Sequence, residues 1–308
     1  MISVSQSELR TFRDCKRRWY LTYYRGLKRR EESPVSDANL GTRIHLALEN
    51  YYRDNYDPIQ VLDIQYDAAE SEYEDNEYYF KDLRKERKLA KLMIEGYLEW
   101  VSETGIDEDL EIISAEQDLR VPGPVEGTEL RAKIDLRVRR KSDGARRFLD
   151  HKSMGNFQNA QRVLHIDGQM RFYALMEKLD NREEFTDGGL YNCLRRVGRT
   201  ARAKPPFYIR EEVRYTIHDL RSEWLRVARQ LSELVAVRAA LDEGGDHRYY
   251  VYPSPTRDCS WKCNFFAVCP LVDDGSRYED MLQNEYVTGD PYSYYNNDLV
   301  LEGLRKLD

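Results

Sequence analysis

The chain has 308 residues, of which 41% are hydrophobic and 33% are charged, and its formal net charge is −7. This length can bury one large core or two modest ones, and the composition is typical of a globular protein. The chain has no run of eighteen apolar residues, and its N-terminus has no basic segment followed by an apolar one, so we expect neither a membrane span nor a signal peptide.

The first part of the chain has the periodicity of helices. Ser5 or Ser7 is a suitable N-cap for a helix through "ELRTFRDCKRRWYLTYY", because a serine oxygen accepts hydrogen bonds from the free N–H groups of a first turn. Two further helices are predicted for "LGTRIHLALENYYRD" and "FKDLRKERKLAKLMIEGYLEWV".

The apolar pattern then changes to period two, which predicts strands in "EIISAEQDLRV", "LRAKIDLRVRR" and "RRFLDHKS". A helix is predicted for "VLHIDGQMRFYALMEKL", strands for "GGLYNCLRRV" and "FYIREEVRYTI", and a helix from "HDLRSEW" to Gly244 and Gly245. "YPSPTRDC" and "YEDMLQNEYVTGDPYSYYNND" are predicted to be loops. We therefore predict one α/β domain over 1–308, with a helical part (1–110), a core (111–245) and a C-terminal segment (246–308).

The basic residues are clustered although the chain is acidic. The stretch from 130 to 147 is rich in arginine, and a single basic run of this kind is usually a solvated face. Several separate runs in an acidic chain instead favour a groove that binds phosphates. The second run, "RRVGRTARAK", has no acidic residue and supplies Arg195, Arg196, Arg199, Arg202 and Lys204 as candidate DNA-binding residues.

The dipeptide Asp143-Gly144 predicts a two-residue hairpin turn between the second and third strands, because glycine readily adopts a positive φ. Such a turn would place Asp135 opposite Lys152 and diagonal to Asp150, at roughly 7–8 Å between α-carbons. Side chains alternate along each strand, so these three residues are expected on one face of the hairpin, with apolar residues on the other.

Two carboxylates at this separation can reach one Mg²⁺ or Mn²⁺ ion. Such an ion polarises a phosphodiester and activates water, and a neighbouring ammonium group can stabilise the negative charge of the transition state. His151 is expected to point to the opposite face, although its carbonyl could face the ion. The alternative interpretation is a solvated strand face with incidental ion pairs.

Three further positions are candidates for the same site. His45 lies between Gly41 and Glu49 at helical spacing, and its imidazole would suit Mn²⁺ as well as Mg²⁺, although a lone histidine is more often structural. Gln169 and Tyr173 are one helical turn apart and could hold the lysine or a DNA strand. Glu116 is a weaker candidate ligand on the preceding strand.

In this order, "GTRIHLALE", "AKIDLRV", "LDHKS" and "GQMRFYALM" resemble the motifs of the RecB-type nucleases of the PD-(D/E)xK superfamily, over about residues 5–269. The resemblance implies a restriction-endonuclease-like α/β fold, with a mixed sheet flanked by helices. It also implies a metal held by His45, Asp135 and Asp150, a catalytic Lys152, and a following motif at Gln169 and Tyr173.

The cysteines extend this resemblance. CRISPR-associated RecB-like exonucleases and AddB-type nuclease domains have one cysteine before the nuclease motifs and three after them, which bind a 4Fe–4S cluster. Here the first trailing gap is C-x3-C rather than the more usual C-x2-C, and four thiolates could also hold Zn²⁺. A reducing cytoplasm, which we expect here, favours metal binding over disulfides. The matching residues are Cys15, Cys259, Cys263 and Cys269.

Such a cluster would join positions 244 residues apart in the chain, Cys15 and Cys259. Closing a loop of this length corresponds to roughly 5 kcal/mol of chain entropy. We therefore expect a structural staple that ties the N-terminal region to the C-terminal one, and not a redox catalyst. The remaining cysteine, Cys193, is expected to be a small buried residue with no ligand role.

Together with the resemblance, these features predict a Mg²⁺/Mn²⁺-dependent DNA exonuclease acting on single strands or DNA ends. The resemblance implies a context of recombination, repair or CRISPR-like processing, and nothing in the chain selects among these. The sequence has no G-x4-G-K-S/T motif, so a helicase would be a separate partner, as would any recombination protein. Two alternatives are an inactive nuclease fold that holds DNA ends or a recombination partner, and a zinc-stapled regulatory protein.

Overall fold

The structure, a computed structural model, describes residues 1–181 and 188–292, without the side chains of residues 116, 117, 159 and 160. The strands are β1 (Ile2–Ser5), β2 (Leu27–Arg29), β3 (Leu110–Pro122), β4 (Thr128–Arg140), β5 (Arg146–Met154), β6 (Gly188–Arg195), β7 (Tyr208–Arg214) and β8 (Tyr286–Thr288). The helices are α1 (Gln6–Asp14), α2 (Lys16–Trp19), α3 (Asp37–Asp54), α4 (Pro58–Glu72), α5 (Glu77–Thr104), α6 (Phe157–Val163), α7 (Gly168–Asp180), α8 (Ile217–Asp242), α9 (His247–Tyr250), α10 (Cys259–Lys262) and α11 (Tyr278–Glu285). A π-helical turn follows α2 (Tyr20–Tyr24), and 3-10 turns follow α6 (Leu164–Ile166) and α10 (Pro270–Val272).

Contacts between residues group the chain into two compact units. The first unit comprises 1–32, 120–131 and 221–292, and the second comprises 33–119, 132–181 and 188–220. The prediction of a single domain over 1–308 stays a prediction. Among the described residues, no helix is both long enough and apolar enough to cross a membrane.

The first unit joins segments from both ends of the chain. β1 runs parallel to the beginning of β4, and β2 pairs antiparallel with β8, with Leu27 opposite Thr288. Leu21 and Phe265 belong to the apolar core beside this ribbon. The tyrosine-rich segment that the sequence predicts to be loop contains α11 and β8, so that prediction is wrong for 278–288, while residues 293–298 of the segment lie outside the described residues.

The predicted first helix is interrupted. Ser5 caps α1 by accepting a hydrogen bond from the Glu8 amide at 3.2 Å, so of the two serines proposed it is Ser5 that acts. At Cys15 the backbone becomes extended, with φ −160° and ψ 111°, before the short α2 begins. This break turns the Cys15 side chain out of the regular helical path.

The second unit has a central mixed sheet flanked by helices, which confirms the predicted architecture at this level. β4 and β5 are antiparallel, β5 and β6 are parallel, and β6 and β7 are antiparallel, while β3 pairs with β4. The parallel pair requires a crossover connection, which α6 and α7 supply. Asp167 starts α7, because its Oδ1 accepts hydrogen bonds from the amides of Gln169 and Met170, so the single helix predicted across this region is divided.

Helices α3, α4 and α5 bury a common apolar core in the second unit. Ile44, Leu48, Leu62 and Ile94 are all fully buried there, at the helical spacing that the sequence displays. The predicted helices that became α3 and α5 are confirmed, and α4 is an additional helix that the sequence reading leaves unassigned. This packing fixes the face of α3 that carries His45.

Candidate active site

The hairpin loop between β4 and β5 is longer than predicted. The Arg140 amide donates to the Ala145 carbonyl at 2.9 Å, so four residues, 141–144, form the loop. Gly144 has φ +70°, whereas Asp143 does not have the positive φ that a two-residue type I′ turn needs. Asp109, in the turn immediately before β3, stabilises the longer loop by accepting hydrogen bonds from the Ser142 amide and hydroxyl.

This loop shifts the strand register by two residues. Leu136 lies opposite Leu149, which places Asp135 across from Asp150. The predicted pairing of Asp135 with Lys152 is therefore wrong. Because side chains alternate with a period of two, a shift of two residues leaves every side chain on its predicted face.

The two carboxylates and the lysine form a compact charged group. Lys152 Nζ lies 3.1 Å from Asp150 Oδ1 and 2.9 Å from Asp150 Oδ2. Asp150 is 1% exposed, and in the described part of the chain its Oδ2 atom accepts no hydrogen bond of good geometry. Burial raises the pKa of Asp150, and the nearby charge of Asp135 raises it further, against the attraction of Lys152. The site thus holds a carboxyl group that lacks part of the polar environment its ionised form needs.

Helix α3 brings His45 to the same face. Its Nδ1 atom lies 3.1 Å from Asp135 Oδ2, and its side chain is 24% exposed. Gly41, one turn earlier, approaches β5 closely: a Cβ atom there would be 3.4 Å from Ser153 Oγ. Burial opposes the ionisation of Asp135, but the charge of His45 and its hydrogen bond hold the pKa of Asp135 below its usual value.

His151 has two different roles at its backbone and its side chain. Its amide donates to Asp135 Oδ2 at 2.7 Å, on the side of the site. Its ring is buried away from the carboxylates, where Nδ1 is 2.9 Å from Asn192 Nδ2, and burial lowers the pKa of His151 to about 3. The side chain therefore lies on the opposite face, as the sequence predicts, and it is the amide that contacts the site.

Gln169 and Tyr173 lie together on α7, where Gln169 Nε2 donates to the Tyr173 hydroxyl at 2.8 Å. The partner of Lys152 in the structure is Asp150. Asp167 was not proposed from the sequence, yet its charge is close enough to contribute to the raised pKa of Lys152. The Glu116 side chain lies outside the described residues.

Two residues of β6 lie beside the site but were not predicted from the sequence to be there. Tyr191 pairs with Asp150 and Cys193 pairs with Lys152 across the parallel strands, so both side chains share the face of the carboxylates. Burial and the charge of Asp150 raise the pKa of both groups. Finding them from sequence would have required the β5–β6 register, which no local pattern encodes. Cys193 is 1% exposed, as expected for a buried cysteine.

Lys133 was also missed, although the sequence held a signal for it. It precedes Asp135 by two residues in β4 and therefore lies on the same strand face. Burial lowers the pKa of Lys133, while the charges of Glu49 and Asp135 raise it. The alternation that identified Asp135 identifies this second lysine as a neighbour of the site.

Four cysteines of the first unit line one cavity of about 240 Å³. Two of their sulfur atoms accept backbone hydrogen bonds, Cys15 from the Ser254 amide at 3.5 Å and Cys259 from the Thr256 amide at 3.3 Å. The other two lining thiols, Cys263 and Cys269, have pKa values raised first by burial and also by the charges of neighbouring cysteines.

A buried arginine borders this cavity. Arg17 is 2% exposed and binds Asp273 through both terminal nitrogens, at 2.8 and 2.9 Å. It also donates to the carbonyls of Val251 and Cys269, each at 3.3 Å. This one side chain therefore ties α2 to the segment that carries the trailing cysteines.

Over the residues whose side chains are described, no group of three or more His, Cys, Asp or Glu side chains is arranged so that it could hold a metal ion. The fit of each site to a metal therefore rests on its donor chemistry. Asp150 is a buried carboxylate whose Oδ2 atom contacts Lys152 Nζ at 2.9 Å but accepts no well-aligned hydrogen bond from the described residues, and such an oxygen suits a hard cation. Four thiols around one cavity suit Zn²⁺ or an iron–sulfur cluster.

The basic run after β6 is only partly available to a ligand. Arg196 pairs with Asp37, and Arg195 donates to the Lys204 carbonyl at 2.8 Å. Arg199 lies over the Phe207 ring at 3.6 Å, while Arg202 and the Lys204 side chain are exposed. The exposed end of the run is therefore the part that could contact a phosphate backbone.

Two arginines of the hairpin are buried in ion pairs, whereas the sequence predicts that the basic run containing them binds phosphates. Arg137 is 5% exposed and binds Glu177 at 2.7 Å and Asp180 at 2.8 Å. Arg147 is 3% exposed and binds Glu212 at 3.2 Å. The expectation that these two arginines contact phosphates is wrong, because acidic residues distant in sequence neutralise them inside the fold.

One known protein family matches a region that includes both the charged residues of the sheet face and the cysteines of the cavity. A family model described as the PD-(D/E)XK nuclease superfamily matches residues 3–270. A search of curated proteins finds no match. The matched region includes His45, the carboxylate pair, Lys152 and the four cysteines that line the cavity.

Proposed function

This chain belongs to the PD-(D/E)XK nuclease superfamily, and on that premise we propose that it is a divalent-cation-dependent deoxyribonuclease that acts as an exonuclease on single strands or DNA ends. The observation that supports the proposal is the convergence of His45, Asp135, Asp150 and Lys152 on one face of the sheet. Recombination, repair or CRISPR-like processing, with a separate helicase or recombination partner, remains the context we propose.

Mg²⁺ or Mn²⁺ would be held by Asp135, Asp150 and His45. The two carboxylates are the oxygen ligands that these ions prefer, and the imidazole makes Mn²⁺ as suitable as Mg²⁺. When bound, such an ion supplies Lewis-acid stabilisation of the charge that develops on the scissile phosphate. The charge of the ion would also favour the ionised form of Asp150.

Lys152 would act on the reacting phosphate directly. Burial disfavours its charged form, but Asp150 and Asp135 raise its pKa, so it is an ammonium group at neutral pH. Its side chain is 27% exposed, which leaves it accessible to substrate while Asp150 orients it. In this position it would donate to a phosphate oxygen and stabilise the negative charge of the transition state.

Binding of the DNA backbone is assigned to the exposed end of the basic run, Arg202 and Lys204, with Arg199 beside them. Lysine and arginine side chains that neutralise phosphates give affinity that falls with salt and does not depend on base sequence. Arg195 and Arg196 would first have to leave their present partners within the protein, so they are weaker candidates.

We further propose that Cys15, Cys259, Cys263 and Cys269 hold a 4Fe–4S cluster that acts as a structural staple. The four thiols line one cavity, and its apolar lining suits a cluster shielded from solvent. Protein purified without oxygen should be brown and contain iron and sulfide. Colourless protein with one zinc ion would identify a zinc staple instead.

The activity is tested by digesting end-labelled linear DNA and circular DNA with wild type and with Asp150→Asn. Wild type should release nucleotides from the linear substrate in Mg²⁺ or Mn²⁺ and not in EDTA, and the variant should not cleave. Asp143→Asn, on the exposed loop of the same hairpin, is the matched control and should retain activity. Binding of DNA ends without turnover, insensitive to chelator, would identify an inactive end-binding module.

A further inference from the structure

Behind the catalytic face of β5, a series of hydrogen bonds links Asp107 to His151, partly buried at Asp107 and fully buried at His151. Arg210 Nη1 donates to Asp107 Oδ1 at 2.5 Å, and Arg210 Nε donates to Asn192 Oδ1 at 3.0 Å. Asn192 Nδ2 lies 2.9 Å from His151 Nδ1 and 3.1 Å from the Tyr97 hydroxyl. Asn192 and Tyr97 are 0% exposed, so water does not compete for these bonds.

The charged groups of Arg210 and Asp107 determine which atom donates and which accepts in each hydrogen bond of this series. Arg210 can only donate, so the Asn192 oxygen is the atom that faces it and the Asn192 amide nitrogen faces His151. The Tyr52 hydroxyl donates to Asp107 Oδ2 at 2.7 Å, so Tyr97 donates to Tyr52 and accepts from Asn192. The last acceptor in the sequence of bonds is His151 Nδ1.

The proton on the His151 ring is therefore assigned. Because Nδ1 accepts from Asn192, a neutral ring carries its hydrogen on Nε2. That atom is buried and has no hydrogen-bond partner among residues 1–181 and 188–292. The ring is stacked on Tyr52, with centroids 5.7 Å apart, and meets Tyr97 and His45 edge-on at 6.3 and 6.1 Å. His151 thus has one orientation and one tautomer.

His151 sits between two residues of the proposed catalytic group. Its amide donates to Asp135 Oδ2, while Asp150 precedes it and Lys152 follows it. A change in the ring position shifts the backbone that carries all three groups. Misplacement of reacting groups by about 1 Å can reduce a rate by about 100-fold.

We propose that Asn192 and Arg210 are positioning residues of the nuclease site, which act through the His151 ring to hold Asp135, Asp150 and Lys152 in register. The inference rests on the proposed nuclease function. Neither residue is placed to touch the cation or the DNA, so their effect is expected on the rate of the chemical step and on cation affinity. This distinguishes them from residues that bind substrate.

The substitution that tests the inference is Asn192→Asp. A carboxylate at this position can only accept, so it still pairs with Arg210 but obliges His151 Nδ1 to become a donor. Two-bond ¹⁵N–¹H correlation spectra separate the two histidine tautomers. The chain has five histidines, so signals of His151 are identified by their loss in His151→Gln. We expect the Nε2–H form in wild type and a protonated Nδ1 in Asn192→Asp.

The kinetic test uses the same full-length proteins. Asn192→Asp should lower kcat by about 10- to 100-fold with KM for DNA within about twofold, the range typical of residues that orient metal ligands. Asn50→Asp is the matched control, because Asn50 is also buried and its side-chain oxygen also accepts from an arginine, Arg53 Nη2, at 3.0 Å. It should leave kcat and the His151 tautomer unchanged.

The outcomes separate the two hypotheses. An inactive wild type with the Nε2–H tautomer would overturn the nuclease function, whereas a tautomer change in Asn192→Asp with unchanged kcat would overturn the positioning role alone. An Nδ1–H tautomer in wild type would also overturn it. If Asn192→Asp does not fold, Tyr97→Phe removes a single hydroxyl from the same chain and should lower kcat at least threefold at constant KM. An unchanged kcat in that variant would refute the inference.

Discussion

Replacing Asp150 by asparagine is expected to stabilise the cation-free protein while abolishing cleavage. Asp150 is 1% exposed, burial raises its pKa, and at neutral pH its ionised form is held where one oxygen lacks a good hydrogen bond from any described residue. An unsatisfied buried polar group costs about 1–3 kcal/mol, and more when it is charged. The lost ion pair offsets part of the gain, but Lys152 is 27% exposed and can be rehydrated.

The expected net gain is about 1–2 kcal/mol, which corresponds to an increase in Tm of about 2–6 °C for a domain of this size. The size of this gain should depend on pH, and it should increase as the pH rises. Because the folded protein holds the Asp150 proton more tightly than the unfolded chain, wild-type stability falls as the pH rises from about 4 through the raised pKa. The variant lacks this loss, so the difference in stability between the two proteins should widen over that interval.

The assay is thermal unfolding of both proteins in EDTA between pH 4.5 and 8, repeated at pH 7.5 with Mn²⁺. Wild type should gain about 2.7 kcal/mol when free Mn²⁺ is 100-fold above its Kd, and the variant should gain much less. Asp107→Asn is the control, since this carboxylate accepts from Arg210 and Tyr52 and its neutralisation should lower stability. A lower Tm for Asp150→Asn in EDTA at pH 7.5, or equal stabilisation of both proteins by Mn²⁺, would refute the reasoning.

Three further predictions concern the scaffold. Gly188→Ala should destabilise the protein by about 3 kcal/mol or more in urea unfolding, because its Cβ would lie 1.8 Å from the Val213 carbonyl oxygen of the paired strand; wild-type stability would contradict this. Asp273→Ala should cost about 1–2 kcal/mol, because buried Arg17 loses its carboxylate but keeps two carbonyl acceptors; an unchanged Tm would count against it. If the cysteines bind the proposed cluster, Cys193→Ala should retain the wild-type iron content, measured colorimetrically, since this thiol does not line the cavity; loss of iron would assign it a ligand role.

The sequence correctly predicted which side chains share each face of the hairpin, but it did not predict which residues pair across the two strands. Alternation with a period of two is a local property, so Asp135, Asp150 and Lys152 could be placed on one face even though the turn was wrong. The loop depends on Asp109, which lies more than thirty residues before Ser142 and stabilises a longer turn than the local dipeptide favours. Local turn preference was overridden by a distant contact.

The same limit explains the other errors. Arg137 and Arg147 belong to a basic run in the sequence, but their acidic partners Glu177 and Glu212 come from later elements. β8 pairs with β2 from the opposite end of the chain, so nothing near the tyrosine-rich segment predicts a strand there. Element types that follow from local periodicity were accessible, whereas pairings between distant segments were not.

The two faces of β5 explain why a strand in the middle of a sheet carries this site. On one face Asp150 and Lys152 are flanked by β4 and β6, so Asp135 and Tyr191 are brought beside Asp150 without help from a loop. On the other face His151 joins a hydrogen-bonded chain that tolerates one ring orientation. Two adjacent carboxylates are unfavourable in a buried site unless a cation joins them. The stability lost at Asp150 therefore agrees with the cation site that we propose, and substitutions that recover this stability are expected to remove cleavage as well.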